Sequence, residues 1–495
     1  MRSYFLPVTL LLALTGCAVA PTHDSKLSAS IAATTKGDID EAINSLETQI
    51  ASGTNKTDLL LHLEKGELLR IGARYKDSQA AFEIADSKVK EWEELAKTAP
   101  DKLMAQVGAV FMGDASRTYE GQDYEKVMLT TRMAMNRLNL GDLDTARVDI
   151  KRTHEREAII AEFRARETAE AEKEAKEKGV TLTAKELNGY PVETLKDPEV
   201  LKLKNGYQNA LSHYLAGFVY EALNEPGLAA PGYRKAIELR PDLPVLEEGL
   251  NGLDQRTSFR RKKDVTDVLF IIESGNAPAR QSKKIAFPVP TKNGLVMVSF
   301  SFPVIYPEKD SLQLSQVNLG QHSLSAALVT DFNVMARKAL QEELPGIQAR
   351  AAVRAVAKGL VQDQVNKKLG VLGGLVGNVV AAATDPEADD RMWRGLPERV
   401  FIARSFVPPG DYEVRIPSQG DSNRKLAIGG RYMVIPVRLF KNKSYFGEPI
   451  QIGALAPAAI PVAVEPKPAS KPVAPAPKGK RTTKPVKPAI SKTST

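Results

Sequence analysis

Residues able to do nucleophilic, acid–base or metal chemistry are few in this chain and far apart. The five histidines, His23, His62, His154, His213 and His322, are widely scattered, and the one cysteine is Cys17, so neither a disulfide nor the Cys/His spacing of a zinc site is available. No H-E-x-x-H, G-x-S-x-G, P-loop or C-x-x-C pattern occurs. Gly420-Asp421-Ser422 spells the nucleophile block of some lipid esterases, but it lies in a Gln-Gly-Asp-Ser-Asn turn, and no histidine follows His322 to act as its base. Glu387, Asp389 and Asp390 carry enough carboxylate for a cation; a solvated, helix-capping cluster is the expectation, with Trp393 beside it as a core anchor. The chain is therefore expected to be no enzyme, with no catalytic residue, metal or cofactor.

Cys17 has one chemistry open to it. A short basic start (Met1-Arg2-Ser3), the apolar run Tyr4 to Ala13 and the small residues before Cys17 form a secretion signal over 1–16, too short to span a bilayer. Leu14-Thr15-Gly16-Cys17 resembles the bacterial lipobox, in which the thiol is lipidated and becomes the first mature residue. Palmitate-like chains, at ~0.8 kcal/mol per buried CH₂, make such an anchor effectively permanent. Ala18 stands where an Asp would resemble the inner-membrane retention signal, which points to the outer membrane.

The elements behind this anchor are read from periodicity. At 495 residues the chain exceeds one ordinary domain, and 43% apolar with 26% charged residues excludes both a polytopic membrane protein and a wholly disordered chain. Within 17–257, Gly217-x-x-Tyr220 with Ala229-x-x-x-Tyr233-x-x-Ala236 and Pro241 resembles a tetratricopeptide (TPR) repeat. Ala73-x-Tyr75-x-x-Ser78-x-x-x-Phe82-x-x-Ala85, with Gly66 upstream, is a second copy; Gly37-x-Ile39-x-x-Ala42-x-x-x-Leu46 and Gly141-x-Leu143-x-x-Ala146-x-x-x-Ile150 are partial ones. Small residues let two antiparallel helices approach, aromatics fill the space between them and glycine makes the turn. Residues 87–119 show no repeat, only a helix over 103–112 and a loop to 123, and the charged run 155–179 reads as an extended, solvated helix. The first helix of each pair lines the concave face, which places Leu63, Glu67, Arg70, Thr131, Met135, Tyr214, Phe218 and Glu221 in a partner-binding groove. The competing cover for that groove, over Phe218 and Met135 above all, is the chain's own second half.

Past Asp264 the apolar period changes from 3.6 to 2. Strands are expected at 268–272, 284–287, 295–300, 400–403, 412–416 and 432–440, and 258–454 reads as a β-sandwich-like domain. A helical insertion, 330–384, interrupts it: Thr330 or Asp331 caps a first helix, Pro345 breaks it and a second begins at Gly346. The insertion ends in the apolar, glycine-rich stretch 369–383, expected to pack internally, with a membrane-active or oligomer-forming element over 351–383 as the alternative. Residues 455–495 hold eight basic residues against Glu465 alone, which accounts for seven of the net +8 charges, so the total charge does not imply a basic folded face and no nucleic-acid partner is expected. That Pro-rich tail is expected to be disordered and to meet peptidoglycan electrostatically. The fold class expected is α+β and multidomain: an N-terminal TPR-like helical repeat region, a β-sandwich-like domain with a helical insertion and a disordered tail.

Three blocks outside the repeats carry a further likeness. Tyr119-Glu120-Gly121-Gln122-Asp123-Tyr124-Glu125-Lys126, Glu273-Ser274-Gly275-Asn276-Ala277-Pro278, and Ala388-Asp389-Asp390-Arg391-Met392-Trp393 with Leu396-Pro397, together with the lipobox, resemble a family of TPR-containing bacterial lipoproteins of the cell envelope over most of residues 1–440. The resemblance implies envelope work in the setting of penicillin-binding-protein activation and carries over no catalytic residue. The expected function is a protein–protein interaction scaffold or assembly factor, lipid-anchored to the outer membrane and facing the periplasm, which takes an unidentified periplasmic or outer-membrane protein into the groove. A peptidoglycan-associated enzyme or its regulator, and a pore component using 351–383, are the alternatives.

Overall fold

The computed structural model describes residues 23–53, 57–107, 118–177, 189–258, 264–291, 294–348, 350–351, 387–417, 423–441 and 443–454. Cys17 and its leader, the glycine-rich stretch 369–383, the Gly420-Asp421-Ser422 turn and the tail 455–495 lie outside them.

The first half is helical: α1 (His23–Lys26), α2 (Ser28–Lys36), α3 (Ile39–Ser52), α4 (Leu59–Ile71), α5 (Tyr75–Thr98), α6 (Pro100–Val107), α7 (Asp123–Asn139), α8 (Leu143–Glu177), α9 (Pro198–Lys202), α10 (Ala210–Ala222), α11 (Pro226–Leu239), α12 (Pro244–Asn251) and α13 (Leu253–Thr257). Four hairpins, α2/α3, α4/α5, α7/α8 and α10/α11, share one turn. In each, a residue of positive φ lies two positions before the second helix: Gly37 (80°), Ala73 (57°), Gly141 (75°) and Asn224 (62°). The backbone closes identically in all four, with Asp38 N–H donating to Ala33 O, Arg74 to Leu69 O, Asp142 to Arg137 O and Glu225 to Tyr220 O. This is the six-residue Schellman closure, which tolerates non-glycine residues at a modest steric cost. The aligned small residues Ala42, Ser78, Ala146 and Ala229 are all fully buried. A Cβ on Gly66 would run into the Phe82 ring, and one on Gly217 would come within 2.8 Å of the Tyr233 ring.

Two sequence expectations shift here. The helix expected over 103–112 begins earlier, at Pro100, and is described to Val107. The charged run is the continuation of α8, a single helix of 35 residues. Its early turns are not solvated: Arg156, Glu157, Ile160 and Phe163 are buried, with Phe163 edge-on to Trp92 at 5.4 Å.

The second half adds β1 (Thr266–Ser274), β2 (Arg280–Thr291), β3 (Gly294–Ile305), β4 (Gln316–Leu319), β5 (His322–Ser325), β6 (Ala327–Asp331), α14 (332–348), β7 (Arg399–Val407), β8 (Gly410–Arg415), β9 (Arg424–Ile428), β10 (Tyr432–Phe440), β11 (Lys443–Phe446) and β12 (Ile450–Ile452). One sheet runs β11-β10-β1-β7-β6, with β12 also on β10; a second runs β5-β4-β8-β9; β2 and β3 form a hairpin. β1 pairs parallel to β10 and antiparallel to β7, at the centre of the larger sheet. A strand covered on both faces reads as a continuous apolar run, and Val268 to Ile272 does. Val268, Phe270 and Ile272 join Val317, Leu319, Val414 and Ile428 in a core between the two sheets. Leu269 and Ile271 belong to the other core, with Tyr214, Phe218 and Met335 of the helices.

Asp331 caps α14, its Oδ1 accepting from Val334 N–H at 3.0 Å. The break expected at Pro345 does not occur: α14 runs through it. Proline removes one backbone bond there, and the stripe Met335, Ala339, Leu340, Leu344 and Ile347 stays in the core on both sides of it. The described residues through 454, helices and strands alike, fall in a single compact unit. No described helix is long and apolar enough to cross a membrane.

Candidate functional site

Charged side chains enter a protein interior at a cost that only partners offset. Here they gather where the helical hairpins meet the larger sheet. Glu67 and Arg70 of α4, Arg132 of α7, Glu273 of β1 and Arg438 of β10 are all buried. Arg70 Nη2 donates to Glu67 Oε1 at 2.7 Å and to Glu273 Oε2 at 2.5 Å. Arg132 Nη1 donates to the other oxygen of Glu273, and its Nε lies 3.1 Å from Glu67. Burial would raise the Glu273 carboxyl, but the guanidiniums of Arg132, Arg70 and Arg438 overcome it and hold it at about 2. Arg438 is pushed down to about 10 by burial and by its neighbours Arg132 and Arg70, against the pull of Glu273 and Glu67.

A second network lies on the next hairpin. Arg404 of β7 donates to Glu221 of α10 at 2.9 Å, to Asp267 of β1 at 2.6 Å and to the Tyr233 hydroxyl at 3.1 Å. Arg256 of α13 holds Glu221 from the other side at 2.5 Å. Burial opposes ionisation of Glu221, yet Arg404 and Arg256 keep its carboxyl below the usual range. The Arg404 guanidinium also stacks over Phe218, 4.8 Å from the ring centre, and Phe218 packs edge-on to Tyr432 at 5.6 Å.

The three sequence blocks that stand outside the repeats meet beside these networks. Gln122 and Glu125 form a capping box on α7, and Glu125 Oε1 accepts from Trp393 N–H at 2.7 Å. Glu64 of α4 accepts from the backbone N–H groups of Arg394 and Gly395, at 2.5 and 2.8 Å. Arg394 in turn donates to Ala277 O, and Ala277 N–H donates to Leu396 O at 2.7 Å. Arg438 closes the circuit with bonds to Gly275 O at 2.6 Å and Gly395 O at 3.0 Å. Trp393 is fully buried, 5.8 Å from the Phe82 ring, which makes it the core anchor expected. Burial raises Glu64 to about 8 and Glu125 to about 7, in each case against backbone N–H groups that favour the anion.

The partner groove must be corrected. Leu63, Glu67, Arg70, Thr131, Met135, Tyr214, Phe218 and Glu221 are every one buried, and their contacts are within the chain. The side of these helices that carries the eight residues packs against the chain's own sheet and the loop carrying Trp393. The cause is the charge complementarity just described together with the apolar face of β1, β7 and β10. The acidic cluster is also placed differently: no described helix follows it to be capped, and Asp389 is bound twice by Arg391, at 2.7 and 2.8 Å.

A cleft of 520 Å³ opens between the start of α7, α8 and α14. Two ion pairs cross its walls, Asp123 with Arg164 at 2.7 Å and Arg280 with Glu343 at 3.0 Å.

The scatter of the histidines along the chain is not kept in space. His154 of α8 and His213 of α10 stand with ring centres 4.8 Å apart, and Glu157 Oε1 of α8 lies 3.1 Å from His213 Nε2. One ligand atom from each of the three falls within 4.8 Å of the others. Sequence reasoning missed this cluster because its members sit on separate hairpins. It missed Arg132, Arg404 and Arg438 although a signal existed: each occupies a position that the apolar period of its helix or strand assigns to the core.

No family model matches the chain, and no curated protein matches it. A solved structure that resembles it is a tetratricopeptide repeat protein from Parabacteroides merdae, 14% identical, covering 46% of this chain and 98% of that one, with a TM-score of 0.13. The hairpin geometry above stands independently of that likeness.

Proposed function

We propose that this chain is a non-enzymatic lipoprotein of the cell envelope, anchored to the outer membrane by lipid on Cys17 and facing the periplasm, where it serves as a rigid interaction scaffold. Its four hairpins are read as TPR-like repeats and its two facing sheets as a β-sandwich-like unit. The observation that carries the reading is the occupied concave face. Repeats of this kind use that face for a partner peptide; here it is spent on the chain's own sheet, so the helices position the β-rich unit instead of gripping a second protein. A periplasmic or outer-membrane partner then meets the outer faces, and the basic tail meets peptidoglycan.

Photocrosslinkers placed in living cells test this. At the exposed positions Leu228 and Phe406 at least one is expected to capture an envelope protein, and at Phe218 none. Capture from Phe218 alone would return the partner to the groove. Fatty-acid labelling tests the anchor: label on wild type and its absence from Cys17→Ser, with release of that variant from the outer membrane, is the expected pair of results.

A further inference from the structure

We propose that His154, Glu157 and His213 bind a divalent transition-metal ion of the zinc class, with a fourth coordination position open to solvent. His154 and Glu157 stand three residues apart on α8 and so share a face, and His213 faces them from α10. His213 is 1% exposed, with its Nε2 3.1 Å from Glu157 Oε1. Zinc bonds of about 2.0–2.2 Å to nitrogen and oxygen in a tetrahedron put neighbouring ligand atoms about 3.3 Å apart, so this pair is already at ligand spacing. The other carboxylate oxygen, Glu157 Oε2, accepts from Gln208 Nε2 at 2.7 Å, which fixes the carboxylate and leaves Oε1 for the ion. Gln208 is itself held by its backbone N–H to Asn205 Oδ1 at 2.8 Å.

His154 is on the surface. Its ligand nitrogen lies within 4.8 Å of the other two ligand atoms, so it has to close at most about 1.5 Å to complete a tetrahedral set, which an exposed rotamer can do at little cost. Two imidazoles with one carboxylate suit zinc and its neighbours and disfavour magnesium and calcium, which take oxygen ligands. The ion would tie α8 to α10, across the third and fourth hairpins.

The test is titration of the full-length chain in detergent with Zn²⁺ alone, read by calorimetry, with Mg²⁺ as control and Co²⁺ absorption as the report of coordination geometry. One tight Zn²⁺ equivalent and a tetrahedral Co²⁺ spectrum are expected for wild type. His154→Ala, at an exposed position, keeps the fold and is expected to weaken Zn²⁺ at least ~100-fold; Gln208→Ala, removing only the positioning bond, ~10-fold. Failure of wild type to bind, equal affinity for Mg²⁺, or a His154→Ala variant that binds like wild type would each overturn the proposal. His213→Gln serves as a second ligand variant, with circular dichroism checking that it folds.

Discussion

Arg70 of α4 and Glu273 of β1, separated by 203 residues in sequence, share a buried hydrogen bond of 2.5 Å. The bond exists only when the hairpins and the sheet are docked, so it couples the folding of the two halves. Taking away one member leaves charge buried without compensation. Glu273→Gln is therefore expected to cost ~3–5 kcal/mol in urea unfolding. The exposed pair Arg74 and Asp77, at a similar 2.8 Å, gives the contrast: Arg74→Ala is expected to cost less than ~1 kcal/mol.

The carboxyls that grip the Trp393 loop set a pH dependence. Glu64 and Glu125 are raised from 4.5 to about 8 and about 7, so between those values and 4.5 the folded state holds protons that the unfolded state has released. Their stabilisation is present at the acid end of that window and is lost as pH rises through it. Glu273, lowered to about 2, acts oppositely and costs stability only as pH falls below 4.5. Melting temperature is expected to decline between about pH 5 and pH 8, with a contribution on the order of 3–5 kcal/mol per raised carboxyl. Glu125→Gln should flatten the decline, and an unchanged slope in that variant would refute the assignment.

Tyr214→Ala combined with Phe218→Ala separates the two uses of the concave face. Both rings lie in the core, so each truncation is expected to cost ~3–5 kcal/mol, seen as loss of the cooperative melt. A variant that melts like wild type while losing a bound partner would show that the face is open after all.

Gly66→Ala tests the close approach within the second hairpin. The added methyl meets the Phe82 ring, and the overpacking is expected to cost ~1–3 kcal/mol in thermal unfolding. The same change at Gly227, where nothing lies within 4 Å of an added Cβ, should cost less.

What the sequence made legible was local. Ala42, Ser78, Ala146 and Ala229 mark the hairpins because tight helix packing demands a small residue at a fixed distance from each turn. The long strands β1, β3, β7 and β10 were legible because each presents an apolar run or alternation of its own. The short strands β4, β5, β6, β9, β11 and β12 were not: at three to five residues they are too brief for a period to register. The cover over the groove was open in the sequence as the competing reading, and spacing could not decide for it. Glu67, Arg70, Phe218 and Glu221 read as an ordinary helix face, and only the sheet laid on them shows that their charges are met by Glu273 and Arg404. The His154 and His213 pairing was hidden in the same way, since nothing in the spacing of two distant hairpins fixes which faces meet.

The most direct measurement is hydrogen exchange on the full chain, followed peptide by peptide for wild type and Glu273→Gln. A single locked body requires that amides of α4, α7 and α10 open with the same free energy as those of β1, β7 and β10, and that the substitution lower both sets equally. If the helical amides keep wild-type protection while the strands lose theirs, the hairpins stand without the sheet and the lock is not what holds this protein together.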